Sequence, residues 1–79
     1  MVKLTVKQKV VLEAIEWYID KYGISPTIRE IAKLTNTTSH PTHEKLLKLE
    51  ELGVISTING SARSIKVLIS LEEIENAEH

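Results

Sequence analysis

The chain has no cysteine and no phenylalanine, a single tryptophan, two prolines and three glycines. Without cysteine, a disulfide framework and a thiolate zinc site are both excluded. The three glycines, Gly23, Gly53 and Gly60, each fall at an expected chain reversal, so no glycine-rich loop remains to cradle a phosphate. No apolar run approaches the roughly 18 residues of a membrane span, and no charged-then-apolar leader precedes the first periodic segment. The expectation is a soluble, cytoplasmic protein.

What is present suffices for one core. Seventy-nine residues, 42% of them hydrophobic and mainly Leu, Ile and Val, make a single domain. The net charge of −1 argues against a polyanionic partner until it is resolved along the chain. Residues 1–69 carry all ten bases and seven of the eleven acids, leaving +3, whereas residues 70–79 carry four acids and no base. A mildly basic body with an acidic tail permits phosphate binding without demonstrating it.

Thr5 reads as an N-cap, after which Val11, Leu12, Ile15, Tyr18, Ile19 and Tyr22 recur at helical spacing until Gly23. Pro26 holds Ser25 extended. Thr27 and Glu30 then form a capping box for a short second helix, with Ile28, Ile31, Ala32 and Leu34 as its buried stripe. Thr35 to Thr38 are poor helix residues, and Asn36 is the one suited to a left-handed conformation. A third helix starts near Ser39 to Pro41, because proline is tolerated in a first turn, and Gly53 stops it. The join of about four residues has the length of a helix-turn-helix.

Beyond Gly53 the period changes from helical to extended. "VISTI" and "SIKVLI" flank "NGSAR", whose Asn59-Gly60 pair signals a hairpin turn. Ser70 and Glu73 make a further capping box, so residues 70–79 form either an acidic tail or a short amphipathic helix. The expected fold is mainly α with a small β-hairpin, a three-helix winged helix-turn-helix over residues 1–69.

The third helix carries the candidate site. At about 100° per residue, Thr42, Leu46 and Leu49 gather on one side, with Leu52 as a further member, while His40, His43, Glu44 and Leu47 gather on the other. One flank is therefore core, and the leading turn presents hydroxyl, imidazole and carboxylate. In a helix-turn-helix that leading turn enters the major groove, where base edges offer fixed donor and acceptor patterns. Imidazole donates to a purine N7 and Glu44 accepts from cytosine N4. Lys45 and Lys48 flank this face and Arg63 lies in the hairpin turn, all suited to phosphate, as are the amides that open the second and third helices.

The segments "LTVKQKVVLEAI", "GISPTIREIAKL", "HEKLLKLEELGVI" and "NGSARSIKVL" together resemble the DNA-binding domain of LexA-type SOS repressors. The resemblance covers roughly residues 4–68. It implies a winged helix that binds operator double-stranded DNA as a homodimer and represses genes of the DNA-damage response. By motif position it places base reading on Thr38, His40, Pro41, His43 and Glu44, beside Ser39, and the wing arginine on Arg63. Three departures imply a different operator. Leu34-Thr35-Asn36 replaces a Leu-Gly-aromatic turn, the helix-opening proline comes two positions late at Pro41, and His40 and His43 stand where Asn and Glu are usual. The self-cleaving Ser–Lys domain of such repressors has no counterpart after Ile69, so the chain is expected to be a fragment or a stand-alone relative.

Rival readings attach to the same residues. His40 and His43, at i and i+3, are two ligands short of a closed metal site, so no metal or other cofactor is expected. Trp17 lies off the main stripe and is expected to pack under the C-terminal segment, against Leu71 or Ile74. Together with the acidic tail it alternatively forms a partner surface, which would make the chain a winged-helix protein-interaction module. No nucleophile and base share a pocket-forming pattern, so an enzyme is not expected.

Overall fold

A computed structural model describes residues 2–58 and 60–77. The order is α1 (Val6–Tyr22), α2 (Ile28–Leu34), α3 (Ser39–Glu51), β1 (Ile55–Ser56), β2 (Lys66–Val67) and α4 (Leu71–Ala77). This is the winged helix-turn-helix order, closed by a short terminal helix.

Local chemistry sets the helix ends. The Thr5 hydroxyl accepts from the Gln8 N–H while the Gln8 side chain accepts from the Thr5 N–H, and Thr27 and Glu30 do the same for α2. Two helices end in matching motifs. After α2, Asn36 N–H donates to Lys33 C=O and Thr37 N–H to Ala32 C=O, with Asn36 at φ 54°. After α3, Gly53 N–H donates to Glu50 C=O and Val54 N–H to Leu49 C=O, with Gly53 at φ 78°. Both are paired end-capping patterns with a left-handed residue just past the helix. The first makes the tight turn between α2 and α3. The second swings the chain straight into β1, burying Val54 over Leu49.

The core joins all elements. Val11, Leu12 and Ile15 from α1 meet Ile31 from α2, Leu46 and Leu49 from α3, and Val54, Ile55 and Ile65 from the hairpin. Leu4 and Ile74 close it from the two ends of the chain. Thr42 is fully buried, and its hydroxyl is satisfied by donating to Thr38 C=O at 2.9 Å, so it belongs to the core side of α3.

The hairpin is shorter than its β-branched runs suggest. Among the described residues the strands pair at Ile55↔Val67 and Ser56↔Lys66, antiparallel, with Leu68 N–H donating to Val54 C=O at 2.8 Å at the base. Beyond them side chains replace the ladder: Ile58 N–H donates to Ser64 Oγ at 2.9 Å, and Ser64 Oγ donates to Ser61 C=O at 3.0 Å. Ser61 N–H returns to Ile58 C=O at 3.1 Å and closes the wing tip; Asn59, half of the expected turn signal, lies outside the described residues.

Two expectations change, and one open alternative is resolved. Leu34 is 45% exposed, because it falls about 160° around α2 from Ala32 and so leaves the stripe formed by Ile28, Ile31 and Ala32. Trp17, expected under the C-terminal segment, is half-exposed. Its ring meets the edge of Tyr22 at 6.2 Å and sits under Lys21 Nζ at 4.8 Å. The terminal segment is a helix over Leu71–Ala77, capped by Ser70 and Glu73 and docked by Ile74 and by Leu71 N–H donating to Glu16 Oε2. Glu78 and His79 lie outside the described residues. No described helix is long and apolar enough to cross a membrane.

Candidate nucleic-acid interface

The turn after α2 sets where α3 begins, and α3 then divides by burial. Thr42, Leu46 and Leu49 face inward, while Thr38, Ser39, His40, His43, Glu44 and Lys48 are all exposed and Pro41 is half-buried. Apart from Pro41, the sequence-expected readers thus sit together on one uncovered turn and its continuation. His40 Nε2 lies 3.4 Å from Glu44 Oε1, an i,i+4 contact between two side chains 86% and 65% exposed, so it constrains neither strongly. Lys48 Nζ lies 3.8 Å from Glu51.

The two helix starts differ. In α2 the capping box occupies the amides of Thr27 and Glu30. In α3, Thr38 is the N-cap but makes no side-chain cap bond, its carbonyl being taken by Thr42 instead. Pro41 contributes no N–H, so the open donors of this end are those of Ser39 and His40. Both helix starts therefore keep amides free for an anion, Ile28 and Arg29 in α2 and Ser39 and His40 in α3.

Two clefts border the exposed turn. One, of about 450 Å³, separates α3 from the wing and is lined by His43, Leu47, Arg29, Ile58 and Ser61 among others. The other, of about 260 Å³, lies where α1 passes the α2–α3 turn and gathers Lys7, Lys45, Asn36 and Thr37. Sequence reasoning missed Lys7. It stands 38 positions before Lys45, and nothing local signals that the first turn of α1 reaches the helix-turn-helix.

Arg63, expected on phosphate, has an intramolecular partner that the sequence did not signal. Its guanidinium grips Glu30, with Nη1 donating to Oε1 at 2.9 Å and Nη2 to Oε2 at 3.1 Å. Nη1 also donates to Ser25 C=O at 3.0 Å. Tyr18 Oη donates to Glu30 Oε2 at 2.8 Å from α1. The Arg63 fork, with the Thr27 amide behind it, lowers the Glu30 carboxyl from 4.5 to about 2 and raises the guanidinium in turn. Glu30 and Tyr18 gave no functional signal in the sequence, since one reads as a cap and the other as core. Among the described residues no group of three or more His, Cys, Asp or Glu is placed to hold a metal ion.

A family model described as the LexA DNA binding domain matches residues 1–64. This chain belongs to that family. The LexA repressor of Methylococcus capsulatus is 39% identical over 74 residues, covering 92% of this chain and 37% of the relative. That of Thermosipho melanesiensis is 40% identical over 74 residues, 94% of this chain and 37% of the relative. That of Thermosipho africanus is 41% identical over 68 residues, 86% of this chain and 34% of the relative. The chain therefore spans about a third of the length of the LexA repressors it matches. In LexA terms, α2 and α3 with Thr35–Thr38 between them are the helix-turn-helix, and β1, β2 and their connection are the wing.

Proposed function

We propose that this chain binds double-stranded DNA sequence-specifically, as the operator-reading domain of an SOS-type transcriptional repressor. The observation that carries this is the exposed leading turn of α3, where Ser39, His40, His43 and Glu44 stand clear of the core their helix is anchored in. That turn enters the major groove. Hydroxyl, imidazole and carboxylate there match base-edge donors and acceptors, and the uncapped amides of Ser39 and His40 take a backbone phosphate. The wing lies along the backbone or the adjacent minor groove.

Lys7, Lys45 and Lys48 supply the charge that positions without reading. Lys7 and Lys45 approach from α1 and α3 on one side of the turn, whereas Lys48 lies farther along α3. A single module of this size holds one half-site. Useful affinity comes from two copies on a two-fold symmetric operator, which makes the second binding event effectively intramolecular.

The test is selection of bound sequences from a random duplex library, followed by titration of the recovered duplex at two salt concentrations. A recovered palindrome, bound with an affinity that falls steeply with salt, is the expected result. No enrichment, or an affinity indifferent to salt, overturns the reading.

A further inference from the structure

We propose that Arg63 is a positioning residue and not a phosphate contact: with Glu30 it fixes where the wing stands relative to α3, and so which base pairs helix and wing reach together. This rests on the DNA-binding reading above and assigns a role within it.

The argument begins with the Glu30 carboxylate. Its Oε1 accepts from Thr27 N–H at 2.8 Å and from Arg63 Nη1 at 2.9 Å. Its Oε2 accepts from Tyr18 Oη at 2.8 Å and from Arg63 Nη2 at 3.1 Å. A carboxylate offers about four acceptor sites, so this one is saturated by groups from α1, α2 and the wing at once. Nη1 and one hydrogen of Nη2 are committed, so for Arg63 to grip a phosphate with both terminal nitrogens the fork must open. That would leave a low-pKa carboxylate without its cation, facing a polyanion.

Val54, Ile55 and Ile65 root the base of the wing in the core, and the polar anchors act beyond that base. The wing's ladder is two residues per strand, too short to set an orientation alone. One carboxylate from each helix of the helix-turn-helix holds each leg instead. On the outgoing leg, Thr57 N–H and Oγ1 donate to Glu50 Oε2 of α3 at 3.2 and 2.8 Å. On the returning leg, Arg63 holds Glu30 of α2, and two residues later Ile65 N–H donates to Ser25 Oγ at 3.0 Å. The polar contacts of the returning leg reach Tyr18 of α1 and Ser25 in the link before α2. Its anchor therefore ties the wing to the rest of the body.

The variants R63A, R63K and E30Q separate the two roles. Lysine replaces a point-charge phosphate contact but not a planar fork. Glutamine retains the capping function at position 30 while removing the charge. The probes are the duplex selected by the wild-type chain and a scrambled duplex of equal length. Positioning predicts that R63K and E30Q each weaken the selected duplex by about tenfold, the scale of one good base-pair contact. It also predicts little change on the scrambled duplex, and an R63A salt slope equal to that of the wild type. Direct phosphate contact predicts the reverse: R63K binds as wild type, E30Q binds tighter, and R63A lowers the slope by about 0.9. Either of the first two results overturns the proposal. A second readout needs no DNA, namely amide exchange at Ile65 in the free protein, which rises in E30Q and R63K if the clamp holds the wing. If the wild-type chain enriches no duplex, the DNA-binding reading falls by itself. Unchanged Ile65 exchange in both variants then removes the clamp as well.

Discussion

Glu30 and Arg63 lie 33 positions apart in the chain and close a two-bond fork of 2.9 and 3.1 Å in space. Both side chains are partly open to solvent, at 32% and 43%. Salt therefore screens the pair, and its value lies in geometry and in pH dependence more than in bulk stability.

The pH dependence has a definite sign. Glu30 titrates near 4.5 without its partners and at about 2 in the folded chain. The unfolded state binds the proton more readily, so the stabilisation is complete above about pH 4.5 and is lost as pH falls toward 2. Other carboxylates also titrate there, and the comparison with E30Q isolates this one. Urea midpoints measured at several pH values are expected to show wild type and E30Q converging as pH drops through that window. A constant gap between them would remove the fork from the account.

Leu49 is fully buried where α3 meets the other core elements, and Val54 packs in the same cluster. Leu49→Ala is expected to cost about 2–5 kcal/mol through lost burial and a residual cavity. Against the roughly 5–15 kcal/mol of a typical domain, that leaves a protein near its unfolding limit. Denaturant titration followed by Trp17 fluorescence gives the number, and a loss under about 0.5 kcal/mol would mean that the core had been misplaced.

Asn36 at φ 54° completes the end of α2. Asn36→Gly is expected to keep the turn. Asn36→Val is expected to lose about 1–2 kcal/mol, because a β-branched side chain meets the backbone in that conformation. Thermal melts of the two variants decide it, with equal stability the contrary outcome.

His43 and Lys48 lie on the same exposed strip of α3 but differ in the chemistry they offer. His43→Ala is expected to change the preferred base at one position of the selected site by about 1–3 kcal/mol of discrimination, leaving the salt slope intact. Lys48→Ala and Lys7→Ala are expected to weaken selected and scrambled duplexes alike, each lowering the slope by about 1. Equal losses on both duplexes for His43→Ala would strip it of a reading role.

The helix ends were legible because their determinants are local. Thr5, Thr27 with Glu30, Gly23, Asn36 and Gly53 act within about four residues of the amides and carbonyls they satisfy, so spacing alone exposes them. The inward and outward faces of α3 were legible for the same reason, since one period decides them. Residues whose partners lie far along the chain were not. Lys7 joins Lys45 only after α1 is laid beside the turn. Arg63 meets Glu30 only after the hairpin is folded back on α2.

By itself, then, the order of residues set the three helices, the abrupt turn between the last two, and the polar first turn of α3, all through interactions that span a few bonds. The folded arrangement alone decided which groups Arg63 meets within the chain. A side chain of that reach meets whichever acceptor the chain reversals bring within about 3 Å. Here they bring a carboxylate that the sequence shows only as a helix cap.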